Sequence, residues 1–351
     1  MPSTRRPRGG EASVTRIHVA YQSTDEPWGG ANNFIRALRA ELMHSDRFTV
    51  TDTMDEDCDI LFMNQLTVGP GRLIPLSRVL RFRRGESTVL DRLRGRATPK
   101  ASSLVVRAVN LYGHAFRMGV RNALVGRARD ARTMELLHAA DLVVFQSDYQ
   151  RRVFVESGYS GSRNRIIHNG ASRIFWADPA LRPRQGDALR LVASTASPRA
   201  TKRHDLIAAL SEMAGVEVLH FGNWPAGLSA GRVQRFGMVP HAKMAEVFKG
   251  CDYFFHPAVK DPCPNAVFEA IVSGLPVIYH PGAGSSAEIV GPNGLPLDER
   301  DLAGTVDRAR RAHEHLRSTV MQNREYYTVQ RAAREYLDAF EAVSPKAAVT
   351  H

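Results

Sequence analysis

From residue 189 onward the chain switches regularly between two periodicities, and that switching narrows the folds open to it. Short apolar, β-prone runs at 189–193, 216–221, 253–256 and 276–279 are separated by segments with helical apolar spacing at 204–213, 243–248 and 265–272. Strands that take turns with helices build parallel sheets wrapped by helices, because parallel neighbours need a crossover between them. The first half repeats the pattern. Residues 16–21 read as a strand, a polar turn ends in Gly29 and Gly30, and 33–42 carries Phe34, Leu38 and Leu42 on one helical face. Residues 59–63 and 103–106 read as further buried strands, and 134–138 leads into the apolar run 142–145. There is no internal repeat at solenoid spacing.

A chain of 351 residues has room for two domains of ordinary size, each with its own core. The Pro- and Arg-rich stretch 179–185 separates them. The expected division is a basic tail over 1–13, a first Rossmann-like domain over 14–178, a second over 179–325, and a closing helical segment over 326–344. No run of 18 or more apolar residues is present, and the arginines of the tail are not followed by the apolar core of a secretion signal. Cys58, Cys251 and Cys263 form no CxxC pair, which suits a reducing cytoplasm and argues against a disulfide framework. Packing is a better account of Cys251, His256 and Cys263 than a metal site.

The net charge of +11 points to nucleic acid, an anionic membrane surface or a phosphorylated substrate. Between Arg72 and Lys100 the residues Arg72, Arg78, Arg81, Arg83, Arg84, Arg92, Arg94, Arg96 and Lys100 face only Glu86 and Asp91. The segment has few aromatics and no nucleic-acid module, so nucleic acid ranks last. The expectation is an exposed basic element that meets the inner membrane surface, a lipid-linked acceptor or the phosphate of an acceptor. A merely solvated arginine-rich insertion is the plain alternative.

The most informative segment runs from Asp261 through Pro264 and Glu269 to Gly274 and Pro276. Pro264 suits a helix start and Gly274 a helix end, which puts Asp261 in the loop before the helix and Glu269 about one turn inside it. At about 1.5 Å rise per residue the two acids can address groups about 10 Å apart, the scale of two sugar rings joined by a diphosphate. Two solvated acids at a helix start are the simpler explanation of the pair taken alone. Arg199, Lys202 and Arg203 follow the strand 189–193 and precede a helix, where an α/β domain binds its ligands.

These residues resemble those of the family 4 retaining glycosyltransferases, which have the GT-B fold of two facing Rossmann-like domains. Asp261 and Glu269, followed by Ser273-Gly274-Leu275-Pro276-Val277, are similar to that family's spaced carboxylate pair and its Gly-x-Pro-Val stretch. Residues 281–290, containing Gly282, Ala283, Gly284, Ser285 and Glu288, resemble its glycine loop ending in Glu-Ile-Val. His168-Asn169-Gly170 is similar to the Asn-Gly that opens the linker, and Gly29 and Gly30 to the first glycine loop. The resemblance implies a metal-independent hexosyltransferase without a cofactor. It gives Asp261 to the transferred sugar, Glu269 to the nucleotide ribose, and Lys202 and Arg199 to the diphosphate. Gly282, Ala283, Gly284 and Ser285 go to the sugar or β-phosphate, and Met238 and Val239 to the base. It also implies a closing helix that packs back on the first domain.

Two features depart from the family. Asp261 is one methylene shorter than the usual Glu, and Arg203 stands where a glycine is common. His114, with Arg107 and Asn110, lies after a first-domain strand and is a candidate for contact with acceptor or sugar. Leaving-phosphate-assisted substitution needs no protein nucleophile, and none is assigned. The rivals are a nicotinamide-dependent oxidoreductase, disfavoured because no G-x-G-x-x-G follows a strand, and a binding or scaffold protein that kept the fold but lost turnover.

Overall fold

The computed structural model describes residues 14–24, 30–51, 53–93, 98–115, 120–176, 187–282 and 284–345. The first domain runs β1 (Thr15–Val19), α1 (Gly30–His44), β2 (Phe48–Thr51), β3 (Cys58–Asn64), β4 (Thr67–Gly69), β5 (Arg72–Leu73), α2 (Leu76–Arg84), α3 (Val89–Leu93), β6 (Ala101–Arg107), α4 (Tyr112–Ala115), α5 (Val120–His138), β7 (Leu142–Phe145), α6 (Asp148–Glu156) and β8 (Asn164–Ile166). Six strands lie parallel in the order β2-β1-β3-β6-β7-β8, and β4 and β5 add a small antiparallel extension on β3. That extension is not part of the alternating pattern, since its strands are only three and two residues long.

The second domain runs β9 (Leu189–Thr195), α7 (His204–Ser211), β10 (Val216–Gly222), β11 (Gln234–Gly237), α8 (His241–Phe248), β12 (Tyr253–His256), α9 (Asn265–Val272), β13 (Val277–Tyr279), α10 (Ser286–Val290), β14 (Gly294–Pro296) and α11 (Leu302–Asn323), and α12 (Val329–Glu341) closes the chain. Its sheet is parallel throughout, ordered β11-β10-β9-β12-β13-β14. The strand order reverses between β9 and β12, and the crevice outside the carboxyl ends of such a pair is where open α/β sheets bind ligands. Each sheet is buried on both faces, which explains why its central strands read as continuous apolar runs rather than alternating ones.

Helix α12 leaves the second domain and packs on the first. Tyr336 and Phe340 are fully buried, with ring centroids 5.7 and 5.4 Å from Phe62, and Phe34 meets Tyr336 at 5.0 Å. The crossing point is tied by backbone: Ala171 N–H donates to Tyr327 O at 2.8 Å and Val329 N–H to Ala171 O at 2.9 Å. Gly170 allows this approach, because a Cβ there would lie 2.3 Å from Thr328 O. The Thr328 hydroxyl caps α12 by accepting from Arg331 N–H.

This packing makes the terminal helix part of the first domain's core. Phe340→Ala should lower stability in urea by about 3–5 kcal/mol, and removal of 326–345 should speed amide exchange in β1 and α1. Unchanged exchange in those two elements after the truncation would refute the coupling.

Candidate active site

The site gathers where the sequence had only loops. After β9, a 3-10 turn over Ala200–Lys202 brings up Lys202, and after β12 the loop brings up Asp261. The two loops are pinned by Val259 N–H donating to Thr201 O at 2.8 Å. Lys202 Nζ then donates to Asp261 Oδ2 at 2.6 Å, with the side chains 25% and 12% exposed. Both partners sit beside a non-glycine residue in the left-handed region, Arg203 at φ 53° and Lys260 at φ 58°. Such residues cost about 1–3 kcal/mol and persist only where the surroundings hold them. Arg203 is held by Asp205 and Glu299, at 2.9 and 2.7 Å. Its backbone explains why a glycine would fit at this position.

Asp261 is braced from behind. Ser285 N–H and its hydroxyl both donate to Asp261 O, at 2.9 and 3.0 Å, and Gly284 packs where a Cβ would lie 3.3 Å from Lys260 N. The Ser285 hydroxyl is therefore committed to the protein, and the residue is fully buried. Burial pushes the Asp261 carboxyl up. The charge of Lys202 and the hydrogen bonds from Lys202 and Cys263 N–H outweigh it and hold it below the usual range. Gly282 is exposed and donates its N–H to His280 Nδ1 at 2.8 Å. Ala283 and Gly29 lie outside the described residues, and Gly30 opens α1.

Asp261, Lys202, Arg199, Glu269, Met238 and Val239 all line one cleft of about 960 Å³. The first domain supplies its opposite wall, with Asn33, Phe34 and Arg36 from α1 and Val329 and Gln330 from α12. Glu269 stands on α9, and no hydrogen bond reaches its carboxylate among the described residues. Burial alone pushes it up to about 7. Gly237 turns with φ 68°, which ends β11 and presents Met238 and Val239 to the cleft. Phe236 stacks on Phe221 just behind them, with centroids 4.9 Å apart.

Three further groups have roles that the sequence reading did not give them. Arg107, 2% exposed, donates to Asn64 Oδ1, Gln146 Oε1 and Asn169 Oδ1 at 2.7, 2.6 and 2.8 Å, and Asn169 Nδ2 reaches Asn265 Oδ1 at 2.8 Å. Arg107 thus links the domains rather than standing open to a ligand. Glu288 caps α6 across the interface by accepting from Asp148 and Tyr149 N–H at 2.7 and 3.1 Å, and pairs with His168 at 2.9 Å. His256, at the end of β12, lines the cleft and had been read only as packing. Asn110 accepts from Gln65 Nε2 through its carbonyl at 3.1 Å. His114 falls in α4, and its side chain lies outside the described residues. Among the described residues no three His, Cys, Asp or Glu side chains converge as a metal site. Cys58, Cys251 and Cys263 are free and buried.

The Glu269 carboxyl moves from an ordinary value of 4.5 to about 7 in the fold, so folding is favoured where it is protonated. That stability is present below about 4.5 and is lost as pH rises through about 7. Glu269→Gln should therefore stabilise the ligand-free protein by up to about 3 kcal/mol at pH 8 and by almost nothing at pH 4. Thermal melts of both forms across that range test it, and an equal gain at both pH values would contradict it.

Comparison with known proteins bears on the fold and on the second domain. Residues 187–315 match the family model for glycosyl transferases group 1. A search of curated proteins returns no match. Among solved structures, sucrose-phosphate synthase from Thermosynechococcus elongatus superposes with a TM-score of 0.65 at 17% identity, covering 94% of this chain and 99% of that one. HepE from Anabaena, solved with UDP and glucose, gives 0.62 at 13% identity, covering 94% and 100%. WaaG, a glycosyltransferase of lipopolysaccharide biosynthesis, gives 0.60 at 16% identity, again covering 94% and 100%. The chain has the GT-B fold, and its similarity to the glycosyl transferases group 1 model lies within its second domain.

Proposed function

We propose that the protein transfers a hexose from a nucleoside-diphosphate sugar to an acceptor with retention of anomeric configuration. The observation that carries the reading is the Lys202–Asp261 pair standing with Glu269 on one cleft wall at the point where the strand order reverses. In this reading Glu269 accepts from the ribose hydroxyls, Met238 and Val239 flank the base, and Asp261 accepts from hydroxyls of the sugar. Lys202 and Arg199 face the diphosphate. Negative charge grows on that group as the glycosidic bond breaks, and cations already in place stabilise it without reorganising. HepE, solved with UDP-glucose, makes a UDP-sugar the first donor to try. The acceptor lies against the first domain, and the leaving phosphate takes its proton.

The three variants should then fail differently. Glu269→Gln weakens binding of donor and free nucleotide together, by about 1.5–3 kcal/mol. Lys202→Ala lowers kcat more than donor affinity, by a factor on the order of 100. Asp261→Asn harms sugar transfer and spares free nucleotide binding. Calorimetry with nucleotide and product-release kinetics read all three. If Glu269→Gln binds nucleotide as tightly as the parent protein, the donor-site reading fails.

The basic segment supports a place at an anionic surface. Arg78, Arg81, Arg84, Arg92 and Lys100 are exposed, and Val89 and Leu93 stand beside them 72% and 79% exposed. Arg83 is not available, since it is bound to Asp141, and Arg94 and Arg96 lie outside the described residues. No described helix is long and apolar enough to cross a membrane. Each basic side chain near such a surface contributes about 1 kcal/mol, so binding to vesicles with anionic lipid should be strong at low salt and fall steeply as salt rises. Sedimentation with such vesicles tests it, and no binding at low salt removes this part of the proposal.

A further inference from the structure

We propose that His256 is a further donor-binding residue, its imidazole giving a hydrogen bond to the glycosyl-phosphate end of the bound nucleotide sugar. The inference rests on the donor-site reading above and extends it to a residue that reading does not use.

His256 ends β12 at the carboxyl edge of the sheet, on the strand next to the point where the order reverses. It is 3% exposed and is one of the residues that line the cleft. Lys202, Asp261 and His280 are the charged or titratable groups that act on it. Despite these neighbours, its Nε2 is buried without a hydrogen-bond partner, and no bond reaches the other ring nitrogen among the described residues. Phe254 stacks against the ring, with planes 18° apart, and fixes its orientation without satisfying either nitrogen.

A neutral imidazole always carries one N–H and one lone pair, so a buried ring with no partner leaves hydrogen-bonding capacity unused. Buried polar groups in native interiors are usually met by protein, ordered water or a ligand, and at the wall of a cleft a ligand can supply the missing partner. Burial holds the ring neutral by lowering its pKa to about 4, so it enters the site as a hydrogen-bond donor and not as a third cation. The packing reading of the same residue makes the opposite demand. A group whose only task is to fill space gains nothing from two unpaired nitrogens, and an apolar side chain of similar size would serve better. The place beside Lys202 and Asp261 assigns the ligand group as an oxygen of the β-phosphate or of the sugar attached to it.

The test needs the parent protein and three variants. Thermal shifts with UDP-, GDP-, dTDP- and ADP-sugars first identify the base, and calorimetry then compares the monophosphate, diphosphate and sugar nucleotide of that base. In His256→Leu the affinity for the sugar nucleotide should fall about tenfold, while monophosphate affinity and the melting temperature of the free protein stay the same or rise. His256→Asn places an amide N–H near Nδ1 and His256→Gln near Nε2, and one of them should recover most of the loss. Equal loss for the monophosphate, a lowered melting temperature with no recovery, or unchanged sugar-nucleotide affinity would each overturn the role of His256. A parent protein that binds none of the nucleotides would instead overturn the donor reading, and this inference with it.

Discussion

The structure depends on a buried cation that, among the described residues, is answered by amides and by no carboxylate. Arg107 is fixed at the end of β6 by three amide oxygens, from Asn64, Gln146 and Asn169, and its guanidinium lies 4.6 Å over the Phe34 ring. A charge removed from water is costly unless hydrogen bonds answer it, and here three reach the two terminal nitrogens while Nε is left unpaired among the described residues. The amides that meet it come from the first sheet and from the linker. Asn169, held in this way, turns its own amide to Asn265, the first residue of α9. The helix carrying Glu269 is thereby registered against the first domain by a chain of side chains, each fixed by the one before. Arg331 extends the chain from the other side by donating to the carbonyls of His168 and Asn169 at 3.1 and 2.7 Å. The linker is clamped between a buried arginine of β6 and one of α12, and the cleft between the domains keeps its shape through that clamp.

The site inside the cleft is built at the expense of stability. Two non-glycine residues are held left-handed beside the ion pair, and among the described residues Glu269 lacks a hydrogen-bond partner and His256 carries unpaired nitrogens. Each would be relieved by a simpler residue, which is the signature of side chains arranged for a ligand rather than for the fold. The surrounding structure sustains the strain. Beneath the Asp261 loop and α9 lies an apolar cluster that includes Phe254, Phe268 and Ile271, none of them more than marginally exposed.

How much of this was legible in the sequence follows from the range of the interactions. Strands β7 and β12 and helix α9 are visible to the residue because apolar periodicity and local caps decide them. Residues 134–138 are only the end of the 19-residue α5, whose arginine-rich surface hid its length. Strand β11 was missed because Gln234, Arg235 and Phe236 are all exposed at the edge of the sheet and show no buried run. Strands β8 and β14 are three residues each, too short for any pattern, and exist through pairing with β7 and β13. The carboxylate pair could be found because it falls in one short segment. Arg107, Glu288 and His256 take their meaning from partners or a cavity formed by distant segments, which spacing along a chain does not encode.

The departure at Asp261 is explained by the same geometry. A carboxylate on a shorter stem has fewer torsions to freeze and is placed more by its backbone than by its rotamer. Here that backbone is fixed by the left-handed Lys260, by two hydrogen bonds from Ser285 and by the tie between Val259 and Thr201. The ion pair with Lys202 need not break when an anion arrives. An ammonium has three N–H donors, and Asp261 Oδ2 takes one of them, which leaves the others for a phosphate. Lys202 and Asp261 can therefore act as one preorganised unit, the lysine holding the acid ionised while the acid holds the lysine in place. Lengthening the acid would loosen both, because the added torsion would have to be frozen against a loop already set for the shorter arm.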